Sequence, residues 1–178
     1  MTSQRSITAS PFELTAAITT SRAGDSSDRT EADAVLDALY RFGLAQDRRD
    51  DPGARELFES AFTEDAELDF RPAAKKCGID VPLMRGRSMI ADIIMSPATL
   101  IDTTHVVTNP RIRIDGNRAR LTALVEAQHL PQGDHSRHAL LKNLYAVEAV
   151  RESDLWRMRQ VYIDCVWFTG DPAVIVGG

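Results

Sequence analysis

The sequence predicts an α+β fold, a cone-shaped barrel in which a curved antiparallel sheet wraps around three N-terminal helices. Three observations carry this prediction. Apolar residues recur at helical spacing between residues 28 and 62 and again over 86–95. From Thr104 to Phe168 the pattern changes to long runs of alternating strand character. The late runs are joined by tight-turn signals, Asp115-Gly116-Asn117 and Glu152-Ser153-Asp154. Helices on one side of a bent antiparallel sheet leave an open mouth, and such mouths hold ligands.

Taken in order, residues 1–27 are rich in Ser, Thr and Ala, with Phe12, Leu14 and Ile18 as apolar anchors, and read as a flexible N-terminal tail. The domain then spans 28–178. Val35, Leu36, Leu39, Tyr40, Phe42 and Leu44 give a first helix reaching about Arg49. Asp51-Pro52 reads as an N-cap followed by proline at the first helical position, opening a short second helix around Leu57, Phe58, Ala61 and Phe62. Ala66, Leu68 and Phe70 alternate with Glu67 and Asp69, so the sheet begins there. Residues 71–84, with two prolines and a glycine, read as a loop. Gly86 to Met95 form the third helix, which Pro97 ends. Strands follow over Thr104–Ile114, Arg118–Leu130, Arg137–Arg151 and Trp156–Phe168.

Composition narrows the functional classes. At 178 residues, 43% hydrophobic and 26% charged, the chain suits one packed core. The formal net charge of -5, with basic residues interleaved among acids as in Arg48-Arg49-Asp50-Asp51, argues against nucleic acid as a partner. No apolar run approaches the roughly 20 residues of a membrane helix, and Cys77 and Cys165 make no disulfide framework, so a cytoplasmic protein without a membrane partner is expected. HExxH, paired Cys–His spacing, GxSxG and Gly-rich phosphate loops are missing, so neither a metal nor another cofactor is expected. His135 and His138, in or beside a polar loop, read as solvated.

The chemistry-bearing residues fall on the inward faces. Leu36, Tyr40, Gly43 and Asp47 step by four, three and four along one helical stripe, which places a carboxylate near the end of an inward face. A negative charge there opposes the helix dipole, so it is no obvious stabiliser, although an exposed position at a fraying end is the plainer reading. His105 opens a strand, where a satisfied half-buried imidazole is the alternative to a catalytic one. Ala119, Leu121, Ala123, Val125, Ala127 and His129 share parity, so one apolar face ends in a second imidazole. Asn143 and Tyr145 share parity with Leu141 and present an amide and a phenol either to the same cavity or to solvent. Asp164, within an apolar segment, has Arg111 or Arg113 as expected ion-pair partners. Trp156 and Trp167 serve either the base of the cone or a subunit contact.

The element order and local motifs resemble the nuclear transport factor 2-like superfamily and, within it, the SnoaL-like group that includes scytalone dehydratase. The matching stretches are Ala45-Gln46-Asp47-Arg48-Arg49-Asp50, Leu57-Phe58 before Glu64-Asp65-Ala66, Arg85-Gly86-Arg87, Thr104-His105 through Asn109, and Leu155-Trp156-Arg157 leading to Trp167. The resemblance implies that Asp47 and His105 form a catalytic pair, with His129 as a second catalytic histidine. It also implies that Asn143 contacts the substrate, and Tyr40 and Tyr145 are candidates for the same set. Gln46 and Leu141 depart from the scytalone dehydratase pattern, which has a tyrosine and a serine there, so a different substrate is implied. The expected function is that of a cofactor-independent lyase or isomerase: proton abstraction followed by dehydration, isomerisation or cyclisation of a small hydrophobic polyketide, aromatic or terpenoid substrate. A homodimer or homotrimer is expected. The alternative is a noncatalytic subunit similar to the small subunit of aromatic-ring dioxygenases.

Overall fold

In the computed structural model, which describes residues 26–177, four helices pack against a six-stranded, curved sheet. Helix α1 spans Ser26–Asp47 and α2 Ala54–Ser60; strand β1 runs Phe62–Asp69, α3 Arg71–Cys77, β2 Met84–Arg85 and α4 Arg87–Ile94. The long strands β3 Ile101–Asp115, β4 Arg118–Pro131, β5 Ala139–Glu152 and β6 Leu155–Gly170 follow, and a 3₁₀ turn over Pro172–Val176 ends the described chain. The tail expected over 1–27 lies outside the described residues, except for Ser26 and Ser27, which open α1.

The α+β fold stands, with three corrections. The sheet order is β2-β1-β6-β5-β4-β3, so β2 and β3 are free edges and the barrel does not close. The sheet is mixed: β1 lies parallel to β6, with Leu68 opposite Val161, while the other neighbours are antiparallel. The stretch 71–84 contains α3. Pro72 there sits in the first helical turn, where its missing N–H costs nothing, and Gly78 (φ 74°) caps the end in the left-handed region. Residues that look like helix breakers instead mark where this helix starts and stops.

A smaller correction concerns α2. Its N-cap is Gly53 at φ 84°, with Asp51 and Pro52 in the preceding turn. Only the Asp51 carbonyl reaches the helix, accepting from the Ala54 N–H at 3.1 Å.

The core fills the hollow between α1 and the sheet. Val35, Leu39, Phe42 and Ala45 of α1 are buried, and Phe42, Phe58 and Phe62 pack with ring centroids 5.3–5.5 Å apart. On β4 the whole predicted face, Ala119 through Ala127, is at most 3% exposed. The strand alternation thus builds an apolar floor beneath the helices. Arg41 fastens the two layers: its guanidinium donates to the Ser60 carbonyl, to Ser60 Oγ at 3.0 Å and to the Trp156 carbonyl at 2.6 Å, and pairs with Asp37 at 2.7 Å. Trp156 is a core residue and Trp167 is exposed. Asp164 pairs with Lys76 at 2.7 Å rather than with Arg111 or Arg113. Cys77 and Cys165 are free, buried thiols. Among the described residues no helix is long and apolar enough to cross a membrane.

Candidate active site

The curvature of β3–β6 opposite the end of α1 leaves a cavity of about 360 Å³. Phe42, Phe70, Met84, Ile101, Leu141 and Ile163 supply much of its apolar lining, and Gln46, Arg49, His105, His129, Asn143 and Tyr145 supply polar atoms. A second hollow of about 400 Å³, at the β3–β4 hairpin end, is lined by arginines, carboxylates and aliphatic side chains, with no histidine, thiol or hydroxyl. The chemistry is concentrated in the first.

Asp47 and His105 meet because α1 ends against β3. Gly43, one turn before Asp47, allows the close approach: a Cβ at this position would sit 3.0 Å from His105 Cβ. Asp47 Oδ1 lies 2.6 Å from His105 Nδ1 and accepts from Thr103 Oγ1 at 3.0 Å, while Oδ2 accepts from the His105 main-chain N–H at 2.9 Å. The His105 side chain is only 5% exposed and that of Asp47 21%. Burial pushes the Asp47 carboxyl up, but the hydrogen bonds and charge interaction with His105, helped by Thr103, outweigh it and hold the group below the usual carboxylate range. An ionised carboxylate only accepts, so His105 Nδ1 carries the hydrogen and Nε2 is the basic nitrogen.

His129 is 8% exposed and its ring centroid lies 6.1 Å from that of His105, edge to face. On the adjoining strand Thr103 pairs directly with His129 and His105 with Ala127, so the two histidines are diagonal neighbours on one sheet face. Burial first, then the neighbouring His105 and Arg49, depress the His129 imidazole to about 4, against the pull of the Ala139 carbonyl and Asp47. It is therefore neutral at pH 7. Asn143, 2% exposed, lies opposite Val125 on the next strand, and Tyr145 is buried two residues on. Desolvation raises the Tyr145 phenol well above its ordinary value, so it stays protonated.

His129 Nδ1, Asn143 Oδ1 and Arg49 Nε are buried without a hydrogen-bond partner. Native interiors satisfy nearly all such atoms, so three unsatisfied groups around one cavity mark where a polar ligand makes its bonds.

Five of the six residues singled out in the sequence therefore gather at one site: Asp47, His105, His129, Asn143 and Tyr145. Tyr40 does not join them; it is 47% exposed and does not line the cavity. At about 100° per residue, the inward face of α1 centres on Leu39, Phe42 and Gln46, and Tyr40 falls beyond its edge. Sequence reasoning missed Thr103 and Arg49. Thr103 shares parity with His105 and so faces the same way. Arg49 follows Phe42 by seven residues and Gln46 by three, a phase that points inward and that its charged neighbours obscure.

A model of the SnoaL-like domain family matches residues 27–162. The chain belongs to that family. The terrestric acid biosynthesis cluster protein E of Penicillium crustosum is 32% identical over 152 residues, covering 82% of this chain and 89% of the relative. Among solved structures, a protein assigned as a scytalone dehydratase from Novosphingobium aromaticivorans has a TM-score of 0.65 at 16% identity, covering 80% of this chain and 88% of its own. Hexachlorocyclohexane dehydrochlorinase type 3 from Novosphingobium barchaimii has a TM-score of 0.62 at 18% identity, covering 82% and 94%. At these identities the two structures establish a shared fold.

Proposed function

We propose that this SnoaL-like protein is a lyase or isomerase that removes a proton from a small, largely apolar substrate and then eliminates water, isomerises or cyclises it, with no cofactor in the step. The observation that carries the proposal is the 2.6 Å bond between Asp47 Oδ1 and His105 Nδ1 at the wall of the cavity. Such a bond fixes the tautomer, directs Nε2 at the substrate and stabilises the imidazolium formed when Nε2 takes a proton. The unpartnered His129 Nδ1 and Asn143 Oδ1 are acceptors, placed to hold a hydroxyl of the substrate. Because His129 is neutral and its N–H is drawn to the Ala139 carbonyl, Nδ1 is left free to accept from that hydroxyl. A relative from a biosynthesis cluster supports a biosynthetic intermediate as substrate.

A noncatalytic assembly subunit has no use for two shielded imidazoles and an amide facing one cavity, which favours the catalytic reading. The test is incubation of wild type, His105→Ala and Asp47→Asn in D₂O with a panel of β-hydroxy ketones. NMR follows deuterium uptake at the acidic carbon and loss of water. Catalysis by wild type and its loss in both variants is expected. Equal turnover by the folded variants would sink the proposal.

A further inference from the structure

Among the described residues, Arg49 is the one charged cavity-lining residue with neither a catalytic role above nor an ion-pair partner. It lies just past the end of α1, where Nη1 donates to the Thr99 carbonyl at 2.9 Å and Nη2 to the Ile94 carbonyl at 3.4 Å, both neutral acceptors. Its Nε is buried with no partner. The acids around it are engaged elsewhere. Asp47 is bonded to His105 and Thr103. Asp50 accepts from Gln132 at 2.9 Å, Asp102 pairs with His135 at 2.7 Å, and Asp92, which also lines the cavity, pairs with Arg55 at 2.6 Å. Arg49 is half-buried, and a guanidinium partly drawn out of water without a bonded anion carries a cost that an anionic ligand group offsets.

We propose that Arg49 is a binding site for the carboxylate of the substrate, so that the ligand is a small carboxylic acid with an apolar body. The proposal rests on reading the cavity as the substrate site and narrows its substrate class. The planar guanidinium suits a carboxylate, which accepts from Nε and a terminal nitrogen together. The apolar lining takes the rest of the molecule, and the acid end is held at Arg49 while the reacting carbon faces His105. Desolvation, the largest influence, lowers the Arg49 pKa, and the charges of Asp50, Asp102 and Asp47 offset it only in part.

Two probes of nearly the same shape separate charge from fit: 2-naphthoate and 2-naphthamide, titrated calorimetrically into wild type, Arg49→Gln and Arg49→Lys. Wild type should bind the naphthoate at least about tenfold more tightly, as expected for one charge-assisted contact. Arg49→Gln should abolish that preference by bringing the naphthoate affinity down to the level of the naphthamide, and Arg49→Lys should keep part of it. Equal binding of the two probes by wild type, or no detectable naphthoate binding at millimolar concentration, overturns the proposal. So does an Arg49→Gln protein that loses both ligands alike, since the side chain then only props the 94–99 segment. The wild-type comparison needs no variant and decides the matter even if Arg49→Gln fails to fold. Equal probe binding leaves the Asp47–His105 reading standing, and failure of that reading leaves the preference for the acid standing.

Discussion

The carboxylate of Asp47 holds His105 at two places, its ring Nδ1 at 2.6 Å and its main-chain N–H at 2.9 Å. The helix end thus fixes both the rotamer of the imidazole and the strand that carries it. Asp47→Asn keeps the shape but puts an amide where an acceptor is needed. If the amide nitrogen faces Nδ1, the hydrogen of the imidazole is driven to Nε2 and the base is lost. Turnover should fall by about 10²- to 10⁴-fold, the usual worth of a positioned general base, with a much smaller change in substrate affinity. Steady-state kinetics of Asp47→Asn beside His105→Ala check this, and the double variant should be little worse than either single one, because the two residues act as a unit.

Gly43 provides a second, independent view of the same contact. Gly43→Ala gains about 1 kcal/mol of helix propensity. Its new methyl, however, starts 3.0 Å from His105 Cβ, so helix and strand must part by a few tenths of an ångström. The two effects roughly cancel in stability but not in geometry, since a small misplacement of a catalytic base is expensive. A melting temperature near that of wild type combined with a loss of about tenfold in kcat is expected. Unchanged kcat in Gly43→Ala would show that the Asp47–His105 spacing is not rate-determining.

The alternation of β4 was legible because each inward residue from Ala119 to Ala127 is apolar and small or aliphatic, so His129 could be placed by parity alone. Other features were hidden for physical reasons. Pro72 and Gly78 read as breakers because their meaning depends on where the helix lies between them. The parallel β1–β6 pairing joins Leu68 to Val161 across about half of the chain, and no local pattern encodes it. Tyr40 shares a four-residue step with Leu36, yet a drift of about 40° per such step carries it past the edge of the buried face. Arg49 was masked because a charged residue at a helix end has the composition of a solvated terminus.

Arg41 should be the most costly charged residue to remove from the scaffold. It is 9% exposed and reaches the carbonyls of Ser60 and Trp156 as well as Asp37. Arg157 also donates to the Ser60 carbonyl, at 2.6 Å, so that acceptor keeps a partner. The Trp156 carbonyl loses its Arg41 bond, and the site is left with a void between α1 and the sheet. Arg41→Met should destabilise by about 3 kcal/mol, the range for breaking a buried charged network. Urea unfolding measures this, and the naphthoate preference assigned to Arg49 should survive at low denaturant.

His129 makes stability depend on pH in a direction that can be worked out. Its folded value of about 4 lies below the ordinary 6.5, so between these limits the unfolded chain binds a proton that the folded chain does not. Stability from this group is complete above pH 6.5 and declines as pH falls toward 4. The shift corresponds to a loss on the order of 3 kcal/mol. Asp47, also held below its unfolded value, works in the same direction at the acid end. His129→Gln cannot titrate, and it should flatten the profile between pH 6.5 and about 4 relative to wild type while leaving the Asp47 contribution at lower pH. Urea midpoints taken through that interval for the two proteins decide the point. Parallel profiles would mean that His129 takes up its proton alike in the folded and unfolded chains, and the burial argued to hold it neutral in the cavity would be wrong.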